Sequence, residues 1–117
     1  MSKILKRSYF WIDIVRMHYY FVDNEKDFYK LKKKFGFESL LENVKGKCLR
    51  LERDGQIIIV IYADMKDLSI LAHEVTHASL FTFESIGQRL DYYDEFLPYL
   101  SQEIFSKCIE ISKKKSR

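Results

Sequence analysis

The stretch L-A-H-E-V-T-H-A-S-L, residues 71–80, decides how this chain is read. Inside it His73, Glu74 and His77 form H-E-x-x-H. On an α-helix each residue advances ~100°, so side chains at i and i+4 lie about 40° apart on one face. Two imidazoles stacked in this way can both reach one Zn²⁺ at about 2.0–2.1 Å. Glu74 neighbours His77 at i, i+3, which directs its carboxylate to a water beside the ion rather than to the ion itself. Leu68, Leu71, Ala72, Val75, Ala78 and Ser79 recur at helical spacing on the other side, while Ile70, Leu80 and Phe81 flank the two histidines. The pattern predicts a central helix, packed on several sides, with one polar constellation. Buried polar groups cost several kcal/mol unless satisfied, roughly 2–7, and a metal satisfies both imidazoles at once.

Working outward, Asp67 or Ser69 caps this helix and Gly87 ends it. Upstream, residues 48–52 and 56–62 flank Arg53-Asp54-Gly55, a β-hairpin signature. The second arm, Q-I-I-I-V-I-Y, is a continuous apolar run and reads as a buried or half-buried strand. Downstream, residues 88–93 are a polar and aromatic connection. A last helix is expected over 94–112, with Phe96, Leu97, Leu100, Ile104, Phe105 and Cys108 inward. Near the start, 9–15 and 17–22 are β-branched and aromatic, hence strand-like. One bent strand, two strands, or a short helix and a strand all fit them. Asp23 or Asn24 then offers an N-cap to a helix over Glu25–Phe35, with Phe28, Leu31 and Phe35 at helical spacing. Glu25 and Asp27 sit early and Lys32, Lys33 and Lys34 late, as the helix dipole favours, and Gly36 is the stop. The order is β-α-β-β-α-α: an α+β domain with a small, mostly antiparallel sheet against the H-E-x-x-H helix and the C-terminal helix.

A chain of 117 residues makes one domain, 1–117, with 112–117 a basic, frayed tail. At 47 % hydrophobic and 15 % aromatic residues, a packed globule is expected rather than disorder. No apolar run approaches ~18 residues, so no membrane span is expected. The basic start lacks a small-residue cleavage site, so no signal peptide is read there. Cys48 and Cys108 match no C-x-x-C and read as reduced packing residues in a cytoplasmic protein, one disulfide being the alternative.

A catalytic zinc site needs a third protein ligand and an open position. With three histidines in the chain, none follows His77, so a carboxylate is required. His18 lies among aromatics, where packing is the simpler role. Glu84 is ~10 Å along the same helix from His77. Asp91, Asp94, Glu95 and Glu103 remain. Asp94 is the expected N-cap of the last helix and Glu103 lies two turns further on. Glu95, in the first turn, is the carboxylate expected opposite the histidines.

H73-E74-V75-T76-H77 followed by D94-E95-F96-L97-P98-Y99-L100 resembles the gluzincin-type metallopeptidases, and among them small metallopeptidase-like proteins of phages and prophages. The resemblance covers about 57–104. It implies a minimal zincin-like domain, Zn²⁺ as cofactor, His73, His77 and Glu95 as ligands, and Glu74 as general base. It also implies that the strand preceding the helix, 57–62, is an edge on which an extended peptide pairs. The serine–aspartate pair that follows the glutamate in thermolysin-like members is missing. Peptide deformylases share H-E-x-x-H but need E-G-C, and Cys48 stands in G-K-C-L.

The expected chemistry is hydrolysis of a peptide bond by metal-activated water, Glu74 taking the proton and passing it to the leaving amine. Tyr99, one turn after Glu95, is either an oxyanion donor or a packing aromatic; Asp91, Tyr92 and Tyr93 are placed along the cleft. The expected partner is a peptide or protein substrate. Two other classes compete. One is a zinc-binding regulatory or interaction module without turnover, against which Glu74 argues, because a structural site needs no such carboxylate. The other is a nucleic-acid-binding module, suggested by Lys runs and tyrosines. The net charge is only +3 and the basic residues fall at helix and chain ends, so nucleic acid is the weaker reading.

Overall fold

The computed structural model describes residues 3–87 and 95–115. The elements are α1 (Lys3–Ser8), β1 (Tyr9–Ile12), β2 (Met17–Val22), α2 (Glu25–Phe35), β3 (Gly46–Arg53), β4 (Gln56–Ala63), α3 (Leu68–Ser85) and α4 (Phe96–Lys115). The class is α+β, as expected, and the sheet is mixed. Its order is β1-β2-β4-β3, with β1–β2 and β3–β4 antiparallel and β2–β4 parallel. Residues 9–22 form a hairpin closed by Arg16, whose amide donates to Ile12 O at 2.9 Å. The short α1 was not foreseen.

Local chemistry explains most boundaries. Asn24 accepts from Asp27 N and starts α2; Gly36, at φ 69, ends it by donating to Lys32 O. Asp54 and Gly55 both have positive φ, 53 and 76, which is the conformation a tight β3–β4 turn demands. Asp67 accepts from Ser69 N at the start of α3. Pro98 stands in the first turn of α4, where its missing N–H costs no helical bond. That helix runs on to Lys115, so 112–115 is helical rather than a loose tail.

The sheet is packed on both faces, because successive strand residues point to opposite sides. Tyr19, Phe21, Ile59, Ile61 and Ala63 pack with Leu71, Val75 and Ala78 of α3 and Leu100, Ile104 and Cys108 of α4. Tyr20, Val22, Ile58, Val60 and Tyr62 pack with Phe28 and Leu31 of α2. The two-sided burial of β4 accounts for its unbroken apolar sequence. It also corrects one expectation: the strand over 57–62 is not an edge but lies between β2 and β3. The edge beside α3 is β3, which carries Lys47, Arg50, Glu52 and Arg53. Cys48 and Cys108 are free thiols within or against the α3–α4 core.

Candidate metal centre

His73 and His77 project from one side of α3 and both are exposed. Their Nε2 atoms lie 3.2 Å apart, with the rings nearly perpendicular at 79°. The ring of Phe81, one turn on, stacks beside His77 at 6.4 Å. Glu74 belongs instead to the inward stripe of α3 and is only 7 % exposed. Burial pushes its carboxyl above the usual glutamate value, and the neighbouring charges of His73 and His77 pull it part of the way back. Gly46, at the start of β3, lies directly against Glu74 and Ile70. A cleft of about 380 Å³ opens here, lined by Lys45, Gly46, Ser69, Ile70, His73 and Glu74.

The rest of α3 is anchored away from the histidines. Ser79 Oγ bonds Ser101 Oγ of α4 at 2.8 Å and Phe83 packs on Phe96. Tyr19 OH meets Thr82 Oγ1 at 2.8 Å, and burial in that seam raises the phenol to about 12. These contacts fix α4 antiparallel to α3. Glu95, which precedes the first helical residue and accepts from Tyr99 N through its carbonyl, is thereby set at the level of the C-terminal end of α3. That level is roughly eight residues, or about 12 Å, beyond His77. His77 also points ~160° around the helix from Ser79, the residue that touches α4.

The expectation that the chain's return would bring Glu95 opposite the histidines is therefore not met in this arrangement. Among the described residues no three His, Cys, Asp or Glu side chains converge on one point. Tyr99, 67 % exposed, lines a different cleft of about 830 Å³ with Trp11, Ile14, Phe96 and Glu103. His18 faces away from α3, its Nδ1 held by Tyr9 OH at 2.8 Å, which is the packing role. Glu84 is exposed on α3. Asp91, Tyr92, Tyr93 and Asp94 lie outside the described residues.

Sequence reasoning missed β3 as the strand beside the motif and Gly46 as the residue against Glu74. A signal existed: a glycine opening a strand marks close approach of another group. Comparison of the chain with protein-family models, curated proteins and solved structures finds no match.

Proposed function

We propose that this protein is a zinc-dependent peptidase in which His73 and His77 hold the ion and Glu74 is the general base. The observation that carries the reading is the 3.2 Å separation of the two Nε2 atoms. Two tetrahedral ligands each about 2.05 Å from one zinc would stand about 3.3 Å apart. The donor chemistry fits as well, since exposed imidazole nitrogens suit this borderline-soft ion. When bound, zinc supplies Lewis-acid polarisation of a carbonyl and acidifies water.

The chain's own residues do the rest. Glu74 is shielded from bulk water and its raised pKa moves it towards the range in which a carboxylate both takes and returns a proton. It takes the proton of the attacking water and delivers it to the departing amine. β3 provides a place for the peptide. Asp64 N donates to Lys45 O at 2.8 Å, so in the alternating antiparallel ladder Gly46, Cys48 and Arg50 turn their own N–H and C=O to the free edge. An extended peptide added there runs alongside α3. A free edge beside the motif helix is what supports a zincin-like reading of the α+β fold. The resemblance assigns the third ligand position to Glu95 and the oxyanion role to Tyr99; both need the start of α4 to be placed differently from its position against Phe83. Free cysteines agree with work in a reducing, cytoplasmic setting. Among the described residues no helix is long and apolar enough to cross a membrane.

Elemental analysis of protein purified without added zinc is the test. About one Zn²⁺ per chain is expected, lost in His73→Ala and in His77→Ala. Glu74→Gln should keep the zinc and abolish peptide hydrolysis. Wild type without a transition metal, and without thermal stabilisation by zinc, ends the reading. Bound zinc with no turnover moves the protein to the class of zinc-binding regulatory or interaction modules.

A further inference from the structure

The chain has four glycines, and three of them serve the backbone. Gly36, Gly55 and Gly87 have positive φ, and nothing lies within 4 Å of where a side chain would begin. Gly46 is the reverse. Its φ is outside the left-handed region and it pairs with Ala63 in a regular ladder. Any residue could adopt its conformation, and glycine inside a strand weakens it. Yet a Cβ on Gly46 would stand 2.7 Å from Glu74 Oε2, 2.8 Å from Ile70 Cγ2 and 2.9 Å from Glu74 Cγ. Carbon atoms pack best at roughly 3.5–4.0 Å, so no side chain fits there while Glu74 lies where it does.

We infer that Gly46 is a positioning residue for Glu74: its bare backbone is the surface on which the carboxylate rests between α3 and the edge strand. The inference depends on the peptidase reading for its functional meaning. The N–H and C=O of Gly46 face the free edge, so the resting place of the base is also the first point at which an added peptide strand would pair. A methyl group at this position pushes the carboxylate outward or pushes β3 away from α3. Either movement changes the distance between the base and a peptide bond held on that edge.

Thermal unfolding of the metal-free protein, in chelator, tests the contact without any appeal to activity. Four proteins are compared: wild type, Gly46→Ala, the double variant Ile70→Ala/Glu74→Ala, and the triple variant. The double variant removes all three atoms that meet the new methyl group. Gly46→Ala should lower the melting temperature of wild type but leave it unchanged or raised in the double-variant background. If Gly46→Ala alone does not fold, a folded triple variant gives the same answer. Equal losses in both backgrounds overturn the inference. In the zinc-loaded protein, Gly46→Ala should retain its metal and lose on the order of 10²-fold in kcat with little change in KM, the scale expected of a displaced catalytic group. A raised KM with kcat intact also overturns it. A wild type that binds zinc but cleaves nothing ends the peptidase reading, while the unfolding cycle still judges the contact.

Discussion

Glu74 is the residue whose environment is least like that of an ordinary surface glutamate. It occupies the buried stripe of α3 although its two motif partners, one residue before and three after, are exposed. Burial raises its pKa from 4.5, and the sign of the consequence follows. Between 4.5 and the raised value the folded state binds more protons than the unfolded one, so metal-free stability falls as pH rises through that window. Above the raised value the destabilisation is fully present. Metal-free Glu74→Gln should therefore melt above wild type once the pH exceeds the raised value, with the gap closing below pH 4.5. Thermal melts at two pH values in chelator measure this. A variant less stable than wild type at neutral pH would mean that the charged carboxylate is stabilised by partners, not penalised by burial.

The elements divide into those whose boundaries are local and those set by distant partners. Asn24, Gly36, Asp54-Gly55 and Asp67 act on their own neighbours, so the limits of α2, the β3–β4 turn and the start of α3 were legible in the sequence. Asp67 carries a testable case. Hydrogen bonds from Ser69 hold its carboxyl below 3.8, so its contribution is present at neutral pH and lost as pH falls through that depressed value. Asp67→Ala should lower the melting temperature at pH ~7, and the difference from wild type should vanish in strong acid. A difference that persists unchanged there would show that the loss does not depend on the charge of the capping carboxylate. Strand order was not legible in the same way. The run Q-I-I-I-V-I-Y announces burial but not which strands flank it, and β2–β4 pairing joins residues about forty apart. The register of α4 on α3 depends on Ser79–Ser101 and Phe83–Phe96, and the spacing within each helix shows which face is inward but not which residues meet across the two. Hence the placing of His73, Glu74 and His77 on one helix was readable from H-E-x-x-H, whereas the position of Glu95 was not.

For the whole molecule the question is whether the helix layer would move if zinc were bound at His73 and His77. The sheet and α3 are one body, joined by Ile59, Ile61, Leu71, Val75 and Ala78 at or near full burial, and large displacement there would expose core surface. The start of α4 is held more lightly: Glu95, Pro98 and Tyr99 are exposed, and Phe96 is only partly covered beside Phe83. If Glu95 completes the ligand set, this first turn has to leave Phe83 and come round α3 towards His77, while Leu100, Ile104 and Cys108 keep the remainder of α4 in place. Zinc titration followed by NMR of the aromatic rings separates the alternatives. The His73 and His77 imidazoles should shift as zinc is added, and the Phe83 and Phe96 rings should shift with the same midpoint. Glu95→Ala should weaken zinc binding and abolish the response of both phenylalanines, leaving weaker imidazole shifts. Imidazole shifts at full affinity with Phe83 and Phe96 unmoved would remove Glu95 from the metal centre. The third ligand would then have to come from another carboxylate, from water or from the substrate.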